Sequence, residues 1–207
     1  MAFRIEVFKG AEAAPYIRPL SEMRLKVFCE FPFLYVGNMQ DDLAYTQMFS
    51  ANSQGMLVVA FEGDTIVGIR SGMPVKSEKA RPLDEGRCRQ LEAHGIKAEE
   101  YYYCGEIIVE PAFRRKGIAT QLMRKFIEEV KALGFPGMIA ILSIRPSHHP
   151  LRPQIYFEGG TFLSKYGFIK SPVVFTAQYP TRQPDGTVKK QQNKLACWIK
   201  EDLGRKK

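Results

Sequence analysis

A basic, glycine-containing turn lies between a strand-like segment and a helical pattern. Its residues are Arg114, Arg115, Lys116, Gly117, Ile118, Ala119 and Thr120. Backbone N–H groups at the start of a helix have no partner within the helix, and the helix dipole favours negative charge there. Gly117 removes a side chain that would block a ligand, and the three cations before it add positive charge. The turn is therefore predicted to bind the diphosphate group of a ligand.

Two other interpretations of this turn use the same residues. A P-loop would need a different glycine spacing and a Lys-Ser or Lys-Thr pair for Mg²⁺, and because both are absent a P-loop is excluded. A basic helix start on a solvated face has the same composition and binds no ligand. Composition alone leaves this second interpretation open.

The segments around the turn alternate between strand and helix periodicity. Residues 101–109 are rich in aromatic and β-branched types, which predicts a strand. Apolar rows from Ile118 to Val130 predict an amphipathic helix that ends near Gly134. Similar patterns predict strands over 3–8, 56–62, 65–69, 138–144, 168–178 and 195–199, and helices over 19–30, 41–50 and 157–166. This order of elements predicts an α+β sheet with helices on both faces.

The composition is that of a folded, globular protein. The chain has 207 residues, of which 45% are hydrophobic and 25% are charged, and this predicts a single domain over 1–207. The sequence contains no run of about 18 apolar residues, which is the length needed to cross a bilayer. The N-terminal stretch lacks the pattern of a secretion signal. The four cysteines form no CxxC pair, and the three histidines lack metal-ligand spacing. We expect free thiols, no metal, no membrane partner and a cytoplasmic location.

Positive charge is concentrated in the C-terminal part of the chain. Residues 165–207 contain ten Lys or Arg and three Asp or Glu, whereas the preceding residues contain 20 and 19. A surface for anionic partners and a solvated basic tail over 201–207 both explain this asymmetry. No recognition module accompanies the charge, so a nucleic-acid partner is not expected.

The polar segment over 74–100 is long for a simple connection. It is interrupted by Pro82, Gly86 and Gly95, and residues 83–94 are compatible with a short helix. A long segment inserted beside a catalytic strand often contacts the substrate, which predicts an insertion that shapes the substrate site. An insertion that only decorates the surface is the other interpretation.

Two motifs resemble those of the GNAT acetyltransferases. The stretch RRKGIA, residues 114–119, follows a strand that ends with VEP, residues 109–111, and is similar to the Arg-x-x-Gly-x-Ala motif with which this family holds the diphosphate of coenzyme A. The later stretch FLSKYGF, residues 162–168, is similar to the family's second signature, a helix that ends in a Lys-x-Gly-Phe turn. In the order of elements, the resemblance extends over about residues 56–170.

The resemblance implies a fold and a reaction. The GNAT fold is a mixed, mostly antiparallel central sheet of about seven strands with helices on both faces, and its sheet splays apart after the fourth strand. The implied donor is acetyl-CoA, whose pantetheine arm and reacting carbonyl would meet backbone N–H groups of Ile108 and Val109. The implied reaction is N-acetyl transfer by direct attack of a primary amine. The acceptor would be a small molecule or a peptide, and the protein a monomer or homodimer.

The resemblance also points to catalytic candidates. An acceptor ammonium must lose a proton, and Glu106 is the best candidate for the general base because it interrupts the apolar run CGEIIV. A solvated sheet face would also explain Glu106, and Glu110 is the second candidate for the base. Leu163 stands where the family commonly has a general-acid tyrosine, and Tyr156 is the alternative acid. A thiol, whose pKa is about 8.5, can also leave without a protein acid.

The departure at Leu163 keeps a second function open. A catalytically silent acyl-CoA-binding module would keep the diphosphate turn and lose the chemistry. The acceptor pocket is expected to come from residues 28–45, the segment 74–100 and the late loop, because the family builds this pocket from variable segments.

Overall fold

The computed structural model describes residues 3–77 and 82–203. Its strands are β1 Arg4–Lys9, β2 Met56–Glu62, β3 Thr65–Pro74, β4 Tyr101–Val109, β5 Gly137–Ser143, β6 Ile169–Arg182 and β7 Val188–Lys200. Its helices are α1 Ile17–Phe28, α2 Met39–Ala51, α3 Glu85–Glu92, α4 Ile118–Ala132 and α5 Gly159–Ser164. Residues 204–207 of the expected basic tail and 78–81 of the polar segment lie outside the described residues.

One sheet contains these seven strands, in the order β1-β2-β3-β4-β5-β7-β6. The neighbouring strands are antiparallel except for β4 and β5, which run parallel. Because the parallel pair lies in the middle of the sheet, both halves are antiparallel meanders or hairpins. The mixed, mostly antiparallel α+β architecture expected from the sequence is confirmed.

The sheet opens between its fourth and fifth strands. Pairing of β4 with β5 runs only from Tyr101 with Gly137 to Cys104 with Ala140. Beyond Cys104, β4 continues beside β3 to Val109, whereas β5 continues beside β7. The two strands therefore diverge and leave a V-shaped cleft whose apex is at Cys104 and Ala140. The splay expected after the fourth strand is confirmed.

Helix α4 covers one face of strands β2 to β4, and helices α1 and α2 cover the other. Phe126 of α4 is fully buried and meets the ring of Tyr102 edge to face, with the ring centroids 5.7 Å apart. On the opposite face, Leu20 of α1 and Phe49 of α2 pack in one cluster with Ile69. Burial of these apolar faces orders both helical layers against the sheet.

A β-bulge decides which face the outer half of β4 presents. The ladder between β3 and β4 shifts its register by one residue, so that both Gly105 and Glu106 stand opposite Ser71. An extra residue reverses the alternation of side chains along the rest of a strand. Without the bulge, Glu106 would share the face of Cys104, under α4. With it, Glu106 faces α1 and meets the guanidinium of Arg24.

The polar segment over 74–100 contributes to the core. Helix α3 begins after Asp84, whose side chain accepts a hydrogen bond from the N–H of Arg87 at 2.8 Å. Leu83 and Leu91 are buried in a cluster with residues of β5, β6 and β7. The described part of the segment therefore covers one face of the second half of the sheet, which is more than a surface decoration.

The hairpin β6–β7 is longer than the sequence pattern predicts. Periodicity predicts a last strand over 195–199, but β7 begins at Val188 and pairs with β6 out to Arg182. The added residues 189–193 are polar and mostly exposed, so they show no hydrophobic alternation. Backbone pairing extends this hairpin, and side-chain patterns do not report it.

Candidate active site in the splayed sheet

The cleft between β4 and β5 contains a cavity of about 520 Å³. The two strands contribute residues 105–107 and 140–144, and the loop before α5 with α5 itself contributes residues 156–164. Phe28 and Phe33, from the end of α1 and the loop after it, lie at the wall. A cavity of this size holds a small ligand or one arm of a larger ligand. Of residues 74–77 and 82–100, the described part of the polar segment, none lines the cavity.

Helix α4 begins with unpaired backbone N–H groups. Its first residue follows Gly117, which has a φ of +83° and offers no side-chain cap. The first intrahelical hydrogen bond is donated by the N–H of Gln121 to the carbonyl of Gly117 at 3.1 Å, so the N–H groups of residues 118–120 remain available. A Cβ added at Gly117 would meet none of the described atoms within 4 Å. Glycine is therefore required here by its backbone conformation, and the space before the helix is open to a ligand.

The three cations of the turn contact other parts of the protein. The guanidinium of Arg114 forms an ion pair with Glu30 at 2.9 Å, and its Nε donates to the carbonyl of Val109 at 3.3 Å. Arg115 lies 4.1 Å from the ring centroid of Phe157, a residue that lines the cavity. The Lys116 ammonium lies over another ring, that of Phe113, at 4.6 Å. In this arrangement, backbone N–H groups and not cations form the floor of the predicted diphosphate site.

Backbone groups of β4 alternate between its neighbour β3 and the cleft. The N–H of Glu110 donates to the carbonyl of Val67 at 3.0 Å, next to the pair of Ile108 with Ile69. In an antiparallel ladder, every second residue directs its N–H and C=O toward the same partner. Ile108 is therefore bonded to β3, whereas Ile107 and Val109 direct their backbone groups toward the cleft. The N–H groups predicted near Ile108 and Val109 are accordingly those of residues 107 and 109.

Glu106 is 6% exposed and lines the cavity. Its carboxylate accepts hydrogen bonds from the Arg24 guanidinium at one oxygen and from the Ser71 hydroxyl at the other. The backbone N–H of Glu106 donates to the same hydroxyl at 2.8 Å. The carboxylate is held in one position by two donors. It is a buried, hydrogen-bonded group, and the solvated sheet face considered from the sequence is wrong.

Arg24 joins Glu106 to a second buried carboxylate, that of Asp42. The Arg24 Nε donates to Asp42 at 2.7 Å, and the Tyr35 hydroxyl donates to the other oxygen of Asp42 at 2.9 Å. We call Asp42, Arg24 and Glu106 the acceptor cluster. Burial opposes the charge of Arg24, but Glu106 and Asp42 more than offset that effect and raise its pKa above the ordinary value. With both carboxylates ionised, the acceptor cluster carries one net negative charge.

Sequence reasoning did not single out Arg24 or Asp42, and it considered Tyr35 only as an aromatic that lines a pocket or packs in the core. Arg24 and Asp42 lie on helices that were predicted from the spacing of their apolar residues. Polar residues of such helices are usually exposed. Asp42 is instead 1% exposed. No signal in the sequence distinguishes a helical aspartate that is buried beside an arginine from one that is solvated.

Tyr156 also lines the cavity and lies in the loop before α5. Its ring packs edge to face on Phe31 with the centroids 4.9 Å apart. Burial, with a smaller effect from Glu158, raises the pKa of Tyr156 to about 12, so the phenol is protonated at neutral pH. Leu163, at the position of the family tyrosine, is 3% exposed and belongs to the core under α4.

Glu110, the second candidate for the base, lies away from the cavity lining. Its carboxylate forms an ion pair with Lys26, a residue of α1. The residues that line the cavity include Glu106 and Glu158 but not Glu110. The position of Glu110 therefore favours Glu106 as the carboxylate that meets a ligand in the cleft.

A family model for GNAT acetyltransferases matches residues 22–153, which span both sides of the cleft. The chain belongs to the GNAT acetyltransferase family. Members of the GNAT family use acetyl-CoA to acylate amines of proteins or small molecules. No curated protein sequence is significantly similar to this chain.

Solved GNAT structures share the fold at low sequence identity. An N-acetyltransferase from Staphylococcus aureus is 15% identical, with a TM-score of 0.58 over 98% of this chain and 99% of that chain. A ribosomal-protein-alanine N-acetyltransferase from Brucella melitensis is 13% identical, with a TM-score of 0.59 over 97% and 99%. A Salmonella typhimurium protein classed as an acetyltransferase, solved with its cofactor acetyl-CoA, is 15% identical, with a TM-score of 0.55 over 97% and 94%. At these identities the similarity shows the fold alone.

Two further features of the described residues bear on the sequence-based expectations. No helix within residues 3–77 and 82–203 is both long and apolar enough to span a membrane. Over the same residues, no group of three or more His, Cys, Asp or Glu side chains is placed to hold a metal ion.

Proposed function

We propose that this GNAT protein is an N-acetyltransferase in which a primary amine attacks the thioester of acetyl-CoA directly. One observation carries the proposal: the turn with free N–H groups and the cavity adjoin each other, because Arg115 of the turn contacts Phe157 of the cavity wall. A single extended ligand with an anionic group at one end and a reactive group at the other fits both places. Acetyl-CoA is such a ligand.

The chain's backbone binds most of the donor in this proposal. The N–H groups of residues 118–120 hold the diphosphate, and the positive end of the α4 dipole supports them. The cleft-facing N–H and C=O groups of Ile107 and Val109 pair with the amides of the pantetheine arm. They also stabilise the negative charge that develops on the thioester oxygen as the amine attacks.

The acceptor cluster provides the amine site. Its net negative charge, buried at the cavity wall, attracts an acceptor ammonium, and the electrostatic effect is larger there than in water because the local dielectric is low. Each carboxylate oxygen of Glu106 accepts one bond from the protein and has a second lone pair for the ligand. Glu106 takes the proton from the ammonium, and the free amine then attacks.

Tyr156 supplies the proton for the leaving thiolate. The phenol lines the same cavity as Glu106 and stays protonated at neutral pH, since its pKa is raised to about 12. It takes the role of the general-acid tyrosine that the family commonly has in α5, where this chain has Leu163. Because a thiol has a pKa of about 8.5, this proton transfer contributes less to the rate than removal of the ammonium proton.

Two measurements test the proposal together. Calorimetry with coenzyme A reports whether the turn and cleft bind the donor. Steady-state release of thiol from acetyl-CoA, across polyamines, amino acids, aminoglycosides and peptide N-termini, reports whether any amine is acetylated. Binding with amine-dependent thiol release supports the proposal, and absence of coenzyme A binding contradicts it.

A catalytically silent acyl-CoA-binding module is the second candidate. Two observations favour it: Leu163 removes the usual acid, and the ion pair with Arg24 occupies part of the Glu106 carboxylate. A silent module would bind coenzyme A by the same backbone groups but release no thiol with any amine in the panel. Measurable turnover with one amine excludes it.

A further inference from the structure

A buried arginine at the apex of the cleft has no explanation in the proposed reaction. Arg70 of β3 is 2% exposed, lies under α4 and lines the cavity. Its guanidinium carbon is 4.6 Å from the ring centroid of Phe126. Its side chain contacts the thiol of Cys104, the residue at which β4 leaves β5.

The Arg70 guanidinium is short of acceptors. Among residues 3–77 and 82–203, its Nε and Nη2 have no hydrogen-bond partner. Burial raises the pKa of the Cys104 thiol to about 11, so this neighbour is neutral at physiological pH although Arg70 lowers that pKa. Glu106 lies on the opposite face of β4, where Arg24 and Ser71 bind its carboxylate. The described part of the chain therefore supplies this cation with a ring and a thiol, but with no anion.

A buried cation without an anion is unfavourable. Arginine remains charged in proteins, so it cannot avoid this cost by losing a proton. Removing a guanidinium from water requires hydrogen-bond acceptors that replace the water, and a ring face replaces only part of them. A planar carboxylate that accepts two N–H bonds is the partner that best fits a guanidinium.

Position indicates which part of a ligand would meet Arg70. Five residue steps of β4 separate Cys104 from Val109, a length of roughly 17 Å at the usual rise of a strand. The diphosphate turn follows Val109, so the diphosphate cannot also reach the apex. The part of the donor that extends deepest into the cleft is its acyl group.

We infer that Arg70 binds the terminal carboxylate of a dicarboxylic acyl donor, such as a succinyl or malonyl thioester of coenzyme A, and that the protein accepts donors of this class. This inference rests on the proposed function. In the transfer, Glu106 takes one proton from the acceptor ammonium, and the free amine nitrogen then bonds to the thioester carbonyl carbon. The carbon–sulfur bond breaks, Tyr156 gives its proton to the leaving thiolate, and the second proton of the nitrogen returns to Tyr156. The product is an amide that keeps the free carboxylate.

Equilibrium binding without an acceptor tests the inference. We would measure the Kd of coenzyme A, butyryl-CoA and succinyl-CoA by calorimetry; butyryl-CoA has the same chain length without the carboxylate. A charge-assisted, buried contact predicts that succinyl-CoA binds about tenfold to a hundredfold more tightly than butyryl-CoA. Equal affinities would show that the inference is wrong while leaving the proposed function intact. No binding of coenzyme A itself would overturn both.

Substitutions test whether Arg70 causes a preference for succinyl-CoA over butyryl-CoA. Arg70→Met keeps an unbranched, apolar side chain in the same space and should abolish the preference, whereas Arg70→Lys should keep part of it. Lys170→Met is the control, because Lys170 is the other cation among the described residues that line the cavity, and it should keep the preference. If Arg70→Met still prefers succinyl-CoA, or if Lys170→Met no longer does, Arg70 is not the residue that binds the carboxylate.

Thermal unfolding checks that the variants fold and adds a second readout. If Arg70 lacks an anion in the free protein, Arg70→Met should keep or raise the Tm, because replacing a buried charge by an apolar side chain is often stabilising. Succinyl-CoA should then raise the Tm of the wild type more than butyryl-CoA does, and the difference should vanish in the variant. A large loss of Tm in Arg70→Met would contradict the inference and assign Arg70 a structural role with Phe126.

Discussion

The two ends of the cleft are built in different ways. The turn over 114–120 presents backbone N–H groups from one short stretch of chain. The acceptor cluster brings together side chains from α1, α2 and β4. Under the proposed function, changing one side chain would therefore be enough to disable the cluster. The turn would stop binding a diphosphate only if its backbone path or the open space before it changed.

Because of this difference, we expect donor affinity to depend on the turn, and catalysis and the choice of acceptor to depend on the cluster. Backbone groups recognise a diphosphate whatever side chains surround them, so the turn suits a cosubstrate shared across the GNAT family. A buried network of charges from three elements depends on each partner, and small changes in it alter the charge offered to an amine. Variants in the turn should change donor binding, and variants in the cluster should change turnover or acceptor binding.

The largest effect is expected at Gly117. Gly117→Asp places a carboxylate in the open space before α4, where it repels the diphosphate, and the affinity for coenzyme A should fall at least about a hundredfold. Calorimetry gives the Kd. The matched control is Gly134→Asp at the other end of α4, where φ is +84° and an added Cβ also meets no described atom within 4 Å. Equal affinities of the two variants would move the donor site away from the turn.

Glu106→Gln should produce the next largest effect. Glutamine keeps the shape: its carbonyl oxygen can accept from Arg24 and its NH2 group can donate to the Ser71 hydroxyl oxygen, but it cannot take a proton from an ammonium. The kcat should fall by about a hundredfold, while the Kd of coenzyme A stays within about twofold. Glu110→Gln is the control, since Glu110 lies away from the cavity lining. Near-normal kcat for Glu106→Gln at neutral pH would contradict the assignment, and a loss confined to Glu110→Gln would transfer the role to Glu110.

A smaller effect is expected at Asp42, which contributes negative charge to the acceptor cluster but does not line the cavity. Asp42→Asn removes the net negative charge of the cluster, while its carbonyl oxygen can still accept from Arg24 and its NH2 group can donate to the Tyr35 hydroxyl oxygen. The KM for the amine should rise about tenfold, with donor affinity unchanged. Asp41→Asn removes the same charge from an exposed neighbour and should leave KM unchanged. If both variants raise KM equally, general surface charge and not the cluster attracts the amine.

The same difference between the contiguous turn and the three-element cluster explains how much of the site can be predicted from the sequence. The turn is local: its glycine, its cations and the strand before it are contiguous, so the pattern predicts a basic helix start, and the family resemblance adds the expected diphosphate. The splay was predicted through the family resemblance, because no local pattern reports where two parallel strands separate. It is confirmed by pairing that ends at Cys104 and Ala140.

The acceptor cluster depends on contacts that sequence patterns do not encode. Its members Arg24 and Glu106 are 82 positions apart. The bulge at Gly105 and Glu106 reverses the face of β4, and period-two reading would have placed Glu106 under α4 with Cys104. Arg70 is hidden for a similar reason: the predicted strand ends at residue 69 and nothing in the sequence marks the next residue as buried, yet β3 continues to Pro74 and Arg70 is 2% exposed.

The smallest effect is expected at Tyr156, and pH makes it testable. Tyr156→Phe removes only the phenol, and because a thiolate leaves readily, kcat should fall by about threefold to tenfold. Burial raises the pKa of Tyr156 to about 12, so the phenol is protonated below that pH and loses its proton as the pH rises through it. The ratio of wild-type to variant kcat should therefore stay constant from pH 7 to about pH 10, well below the point at which the phenol ionises. Tyr166→Phe, on the other side of Leu163, is the control and should leave kcat unchanged. A ratio that falls toward one between pH 7 and 10 would mean that the group lost in this range is not the Tyr156 phenol.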